Sequence, residues 1–337
     1  MAGNRLFFKK LEVDARYRTL KKARVYQHTV QKIVTIGGGT GQFQILRGLK
    51  NYECSVTAIV NMSDDGKSSG RLRDEYGVLP PGDVRQCMVA LADDEHAQIL
   101  RDLFNFRFKD GHSLGNLIIT ALAEITGSSA EGIKEAAKLI KVKGRVLPVT
   151  ADSFKLSATT KDGRTLAGQD KVSYPKGEHT KITQLMLEPE AFLFKDAGEA
   201  IRKADKIVIC PGDLYGSILP NFCIQGMKKA LKNSTATKIY VCNMFTKEGN
   251  FNFKASDFVK EVEKYTGCKM DHIIISQDKP DQEILDKYFS EHSKLVEDDM
   301  GDDKRVLRED LSKVYPSEAK TILRHVPEKI GRAIVSL

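Results

Sequence analysis

Gly37-Gly38-Gly39-Thr40-Gly41 is the segment of this chain best suited to chemistry, because a β-branched run precedes it and helical periodicity follows. A glycine turn between a strand and a helix lets backbone N–H groups close on an anion, where the helix dipole also favours negative charge. That chemistry is phosphate binding. The turn has neither common form. In G-x-G-x-x-G the third glycine is replaced by Gln42, and in G-x-x-x-x-G-K the residue five after Gly37 is again Gln42. Gly66-Lys67-Ser68 ends like the second form but has Asn61 where its first glycine belongs. The failed fingerprint also disfavours an NAD-dependent dehydrogenase.

Four more segments carry reactive residue types. Asn61–Arg73 leaves a second β-branched run with Asp64 and Asp65 adjacent, then Ser68, Ser69 and Arg71. Its position suits an acid that meets a ribose, or carboxylates that hold Mg²⁺ beside a diphosphate; a solvated loop with a helix cap is the plain alternative. Pro80-Pro81-Gly82-Asp83 presents Asp83 as a helix N-cap and as a second ligand or metal carboxylate. Gly111-His112-Ser113-Leu114-Gly115 fits G-x-S-x-G, but Arg107-Phe108-Lys109-Asp110 precedes it where a nucleophile elbow needs a hydrophobic strand. A helix starting near Ser113 or Leu114, with Asn116 towards a ligand cleft, fits better. Finally, Pro211–Asn221 offers Gly212, Ser217 and Asn221 after a third apolar run, and Asn243 follows a fourth. Loops of one type at successive strand ends converge on one crevice, so the chain is expected to bind a phosphate-bearing ligand, a nucleotide above others.

The elements that must hold these loops are short. Strands are expected over Lys32–Ile36, Ser55–Val60, Lys206–Cys210, Lys238–Val241 and His272–Ile275. Amphipathic stretches alternate with them: 42–49, 84–91, 97–104, 117–125, 130–142, 197–204, 220–231 and 255–265. This alternation predicts an α/β fold with a mostly parallel sheet. The rhythm breaks over 145–190, where short alternating runs flank Lys161-Asp162-Gly163-Arg164, and an inserted β-hairpin subdomain is expected there.

The net charge of +8 is unevenly placed. Residues 1–32 hold nine Lys/Arg and two acids, so the remainder is close to neutral. Nucleic-acid binding by the folded body is therefore disfavoured. The basic extension, 1–31, carries apolar Leu6, Phe7, Phe8 and Leu11 and is expected either to pack as an extra helix or to contact RNA, an anionic membrane or a protein. Six cysteines without a C-x-x-C pair read as reduced buried thiols. No apolar run approaches the roughly 20 residues of a membrane span, and the N-terminus lacks a secretory core, so a cytoplasmic location is expected.

Taken in order, Val34–Gly41, Ser63–Arg73, Pro80–Leu91, Gly111–Leu117 and Pro211–Asn221 resemble the CofD/YvcK-like family. The resemblance runs from about Lys32 to Leu337, and the Ser68–Arg73 and His112–Asn116 runs look like its gluconeogenesis-factor branch. It implies a three-layer Rossmann-like domain over 32–337. For the branch it implies a cytosolic regulator of cell shape, wall synthesis and growth on gluconeogenic carbon that binds UDP-sugars such as UDP-N-acetylglucosamine. Tyr288 and Arg324 look like the sugar-nucleotide contacts of that branch. For the transferase proper it implies a Mg²⁺-dependent transfer of phospholactate from a guanosine diphosphate donor, with Asp65 and Asp83 at the acidic positions. A homo-oligomer is expected. The chain departs from the branch at Lys67 (usually Gly), at Asp213 (usually Ser) and at Gly249-Asn250-Phe251 (usually Gly-Glu-Thr).

Overall fold

The structure, a computed structural model, describes residues 30–93, 97–176, 180–315 and 322–337. The chain divides between Gln31 and Lys32 into two units, and the fold described is that of Lys32–Leu337. The roles expected of the basic extension fall on residues 1–29, outside the described residues.

Strand β1 (Gln31–Gly37) leads directly into helix α1 (Gly39–Leu49), then β2 (Cys54–Val60). Four helices with their turns follow: α2 (Lys67–Tyr76), α3 (Pro81–Leu91), α4 (Gln98–Asn105) and α5 (Leu114–Thr126). Next come α6 (Ser129–Leu139) and β3 (Arg145–Pro148). The insertion holds β4 (Lys155–Thr160), β5 (Thr165–Ala167), α7 (Gln169–Ser173) and β6 (Ile182–Glu188). The chain returns through α8 (Lys195–Lys203) and β7 (Lys206–Ile209), and a π-helical turn Leu214–Ile218 leads to α9 (Pro220–Cys223) and α10 (Met227–Asn233). Then follow β8 (Thr237–Val241), α11 (Ala255–Thr266), β9 (His272–Ser276), α12 (Gln282–Ser290) and β10 (Val306–Glu309). A hairpin of β11 (Ser312–Tyr315) and β12 (Ile322–His325) and helix α13 (Pro327–Ser336) complete it.

Seven strands form the central sheet in the order β10-β9-β8-β7-β1-β2-β3. The pairings β3–β2, β1–β7, β7–β8, β8–β9 and β9–β10 are all parallel. This is an α/β fold, a mostly parallel Rossmann-like sheet flanked by helices. The expected strands are there because each is a run of β-branched residues buried on both faces, such as Ile33, Val34 and Ile36 in β1 and Ile207, Val208 and Ile209 in β7. Lys206 opens β7 and is buried too, its ammonium donating to the carbonyls of Ile334 and Val335 at the C-terminal end of α13.

Progress along the sheet reverses between β1 and β7. From β1 the chain builds outward through β2 to β3, and from β7 it builds the other way to β10. The loops after β1 and β7 therefore diverge and leave a crevice, the topological switch point. They touch at its floor: a Cβ on Gly41 would lie 1.8 Å from the Pro211 carbonyl oxygen, so only glycine allows this approach.

Three expectations about elements are corrected. The insertion does not begin at residue 145, because Arg145–Pro148 pairs with β2 as an edge strand of the main sheet; the antiparallel sheet β5-β4-β6 starts at Lys155. The expected helix 220–231 is two short helices, separated by Ile224 in an extended conformation and Gly226 at φ +92°. The stretch after Gly66, read as loop, is α2, closed by Gly77 in the left-handed region. Near the C-terminus of the chain, α13 crosses α1 backbone to backbone. A Cβ on Gly48 would lie 2.0 Å from the Pro327 carbonyl oxygen. This crossing brings β12 to α1 beside the switch point.

Candidate functional site: the switch-point crevice

The crevice has a volume of about 490 Å³. Its floor is the glycine turn, Gly38 to Gly41, with Pro211, Gly212 and Ser217 from the loop after β7. One wall is the loop after β8, Asn243 to Lys247. The insertion lends Gln169, Ser173 and Tyr174, and the C-terminal segment closes the rim with Tyr288, Leu323, Arg324 and His325. Seven separate stretches of chain, Asp83 of α3 and α12 among them, thus meet beside the carboxyl ends of β1, β7 and β8.

Gly38 is extended at the start of α1 and no side chain caps that helix. The free N–H groups of its first turn form a seat for an anion. Asp83 already addresses that seat. It lies in the first turn of α3, not at its cap, which is Pro80. Its carboxylate oxygens lie against Gly38 and Gly39 and fill the space that Cβ atoms on those glycines would need. Burial, followed by the charge of Asp64, pushes the Asp83 carboxyl up to about 7. A carboxyl at this place exchanges its proton near neutral pH, and in its charged form it competes with a phosphate for the same seat.

The opposite wall is aromatic and cationic. Phe245 and Tyr288 stack with ring centroids 3.8 Å apart. The Leu323 N–H donates to the Tyr288 hydroxyl at 3.1 Å, which fixes the β12 segment against α12. The Arg324 guanidinium beside it has no hydrogen-bond or ion-pair partner among the described residues and is available for a bidentate contact to phosphate. Lys247 reaches Asp213 at 3.1 Å and lies 4.8 Å over the Tyr174 ring, linking the loop after β8 to the insertion. Asp213, an anion where the related branch usually has Ser, is thereby paired, and it also accepts from the Gly216 N–H.

Of the residues singled out from sequence, the crevice collects Gly38, Gly39, Thr40, Gly41, Asp83, Gly212, Ser217, Asn243, Tyr288 and Arg324. Gly37 is buried beneath the floor against Cys210. Asn243 donates to the Gly212 carbonyl and so braces the loop after β7.

Other candidates build the frame. Asp65 accepts from the N–H groups of Gln169 at 2.7 Å and Asp170 at 3.0 Å, tying the loop after β2 to the first turn of α7. It lines a different cavity, so Asp65 and Asp83 do not form the shared carboxylate pair expected for Mg²⁺. Among the described residues no three His, Cys, Asp or Glu side chains gather as a metal site. Asp64 accepts from Gly66, and the Ser69 hydroxyl accepts from the Gly82 N–H. Asn116, expected to face the cleft, is buried and bridges Ser68 to Arg85 instead. Arg71 donates to the Asp110 carbonyl, and Asn221 donates to its own turn at Ser217 and Ile218. The Ser113 hydroxyl caps α5 by accepting from the Asn116 N–H, and its residue is fully buried, in keeping with a helix start and not with a nucleophile. Gln42, which breaks the fingerprint, donates to Thr35 and to the Ile59 carbonyl and so joins β1 to β2. All six cysteines are free, and burial raises the thiols of Cys87, Cys210 and Cys242.

Sequence reasoning missed Gln44, Phe245, Lys247 and His325 as crevice residues. Gln44 follows Thr40 by one helical turn, which is a usable signal. The others are placed by tertiary packing alone.

Together the strand order, the glycine floor and the seven converging stretches define a doubly wound α/β protein with a ligand crevice at its switch point. The pattern of 2-phospho-L-lactate transferase CofD matches residues 33–317, and the chain belongs to that family. A Thermotoga maritima protein is 40% identical over 312 residues, which cover 90% of this chain and 98% of its own. The gluconeogenesis factor of Bacillus subtilis is 38% identical over 91% of this chain and 98% of its own length. A crystal structure of a UPF0052-family protein from Bacillus halodurans matches with a TM-score of 0.83 at 38% identity, over 90% of this chain and 99% of that one. Among the described residues no helix is long and apolar enough to cross a membrane.

Proposed function

We propose that this protein binds a nucleoside diphosphate-sugar across the switch-point crevice and works as a metabolite-responsive regulator. One observation carries the reading: an anion seat at the N-terminus of α1 shares one crevice with Arg324, whose side chain is unpaired among the described residues, and with a stacked Phe245–Tyr288 pair. Amides and a guanidinium suit a diphosphate, and an aromatic wall suits a base or sugar face. The similarity to the Bacillus subtilis gluconeogenesis factor supports a role in growth on gluconeogenic carbon; a part in cell shape and wall synthesis through UDP-sugars, acting in the cytoplasm, rests on the resemblance of the Ser68–Arg73 and His112–Asn116 runs.

Calorimetric titration with UDP-N-acetylglucosamine, GDP and NAD, each with and without Mg²⁺, tests it. Binding of the UDP-sugar that is weakened about tenfold or more by Arg324→Ala is expected. If no uridine or guanosine diphosphate compound binds at about millimolar concentration, the reading is wrong.

The position of Asp83 favours a second reading, a Mg²⁺-dependent transferase of the phospholactate type. A cation bridging Asp83 to a diphosphate would relieve their repulsion and polarise the phosphoryl oxygens. Asp65 does not join it there, so the acidic pair implied by the transferase resemblance is divided between two cavities. Turnover of a guanosine diphosphate donor with an alcohol acceptor would establish this alternative.

A further inference from the structure

Among the described residues, two side chains of the crevice each hold a buried polar atom with no hydrogen-bond partner. One is the Gln44 side-chain oxygen and the other is His325 Nε2. Both side chains line the crevice, and both residues are more than nine-tenths buried, with relative exposures of 8% and 5%. They come from segments far apart in the chain, the second turn of α1 and the end of β12, which the α1–α13 crossing brings into contact. A buried polar atom left unsatisfied costs free energy in the empty protein, and both atoms are covered as they stand, so a turn of each side chain towards the crevice would let a ligand complete it.

Their chemistry narrows what that ligand presents. Burial drives the His325 imidazole down to about 4, so it is neutral under ordinary conditions. A neutral imidazole and a primary amide each offer a donor and an acceptor and no charge. The charged groups lining the crevice are Asp83, Asp213, Lys247, Glu291 and Arg324, and the carboxylate that acts on the His325 ring is Asp278, outside the crevice lining. An ionised phosphate would be better served by Arg324 than by this wall.

We propose that Gln44 and His325 together read one neutral hydrogen-bonding edge of the bound nucleotide-sugar, an edge carrying a donor beside an acceptor. This rests on the nucleotide-sugar reading given above. Two parts of such a ligand have this chemistry, the imide edge of a pyrimidine base and the acetamido group of an N-acetylated sugar. In either case the pair acts as a specificity device, because a site built to complete buried polar atoms rejects a ligand that leaves them unpaired.

The test titrates UDP and UDP-N-acetylglucosamine into the full chain and into Gln44→Met and His325→Phe, with melting curves of each unliganded protein. Each variant is expected to raise the Kd about tenfold or more while leaving the melting temperature unchanged or higher, since an apolar group of similar shape replaces an orphaned polar atom. Loss of affinity for both ligands assigns the pair to the base, and loss for UDP-N-acetylglucosamine alone assigns it to the sugar. Variants that bind within about threefold of the parent overturn the inference and leave the nucleotide-sugar reading standing. Variants that lose both affinity and several degrees of melting temperature overturn it in favour of a structural role. A parent chain that binds neither compound removes both readings at once.

Discussion

Asp83 sets a measurable condition on phosphate binding. Its carboxylate lies beside the Gly38–Gly39 backbone, where a phosphate at the start of α1 would sit. A ligand phosphate seated there would stand within about 5 Å of that carboxylate. At an effective dielectric of about 20 the repulsion between two unit charges at that distance is about 3 kcal/mol, on the order of a hundredfold in Kd. Binding of an anion therefore pulls a proton onto Asp83. Because burial and Asp64 already raise this carboxyl to about 7, the uptake begins near neutral pH. The sign follows: without metal, affinity for a UDP-sugar is highest below about pH 7 and falls up to tenfold for each pH unit above it, levelling off after about two units. A UDP-sugar is the right probe because its diphosphate stays fully ionised across that range. Asp83→Asn should remove the pH dependence and bind more tightly than the parent at about pH 9. Added Mg²⁺ should flatten the parent profile and leave that of the variant unchanged, by bridging carboxylate and phosphate. Calorimetry in several buffers reads both Kd and the protons taken up. A parent profile that is flat from about pH 6 to about pH 9, with no gain in the variant, would refute the competition.

The same raised carboxyl affects folding: its contribution to stability is fully present below about pH 4 and is lost as pH rises through about 7, so Asp83→Asn should melt higher than the parent at about pH 8 in urea or thermal titrations. Asp65→Ala removes the acceptor for two amides of α7 and should cost about 1–2 kcal/mol in chemical denaturation. Hydrogen exchange should quicken first in Gln169–Ser173, and unchanged exchange there would contradict the tie. Gly41→Ala drives a methyl into the Pro211 carbonyl and should destabilise by about 3 kcal/mol or more, or abolish ligand binding, as read by melting and calorimetry. Ser113→Ala loses a helix cap worth about 1 kcal/mol and should leave nucleotide affinity within about twofold; complete loss of an activity towards acyl esters would revive a nucleophilic role.

Local signals in the sequence were enough for the strands. Lys32–Ile36 and Lys206–Cys210 are apolar, β-branched and short, and such runs have few ways to be buried other than as inner parallel strands. The glycine turn and the cap at Ser113 were legible for a similar reason, since backbone geometry and cap chemistry are set by neighbours within a few residues. Edge strand β3 was assigned to the insertion because its four residues look no different from those of the hairpins beside it; only pairing with β2 distinguishes it.

What the sequence by itself determined was the alternating α/β order, the glycine floor and the list of loops able to bear a phosphate ligand. What only the tertiary structure decided was which of those loops share a wall. Asp65 and Asp83 look equivalent along the chain, yet one caps α7, 104 residues away, and the other lies against Gly38 and Gly39. Gln44 and His325 line one crevice because Gly48 and Gly331 let α1 and α13 cross at backbone distance, which brings β12 to α1. Periodicity and propensity act over a few residues, whereas a binding wall is assembled from contacts whose partners the topology selects, and that selection is made by packing the whole sheet at once.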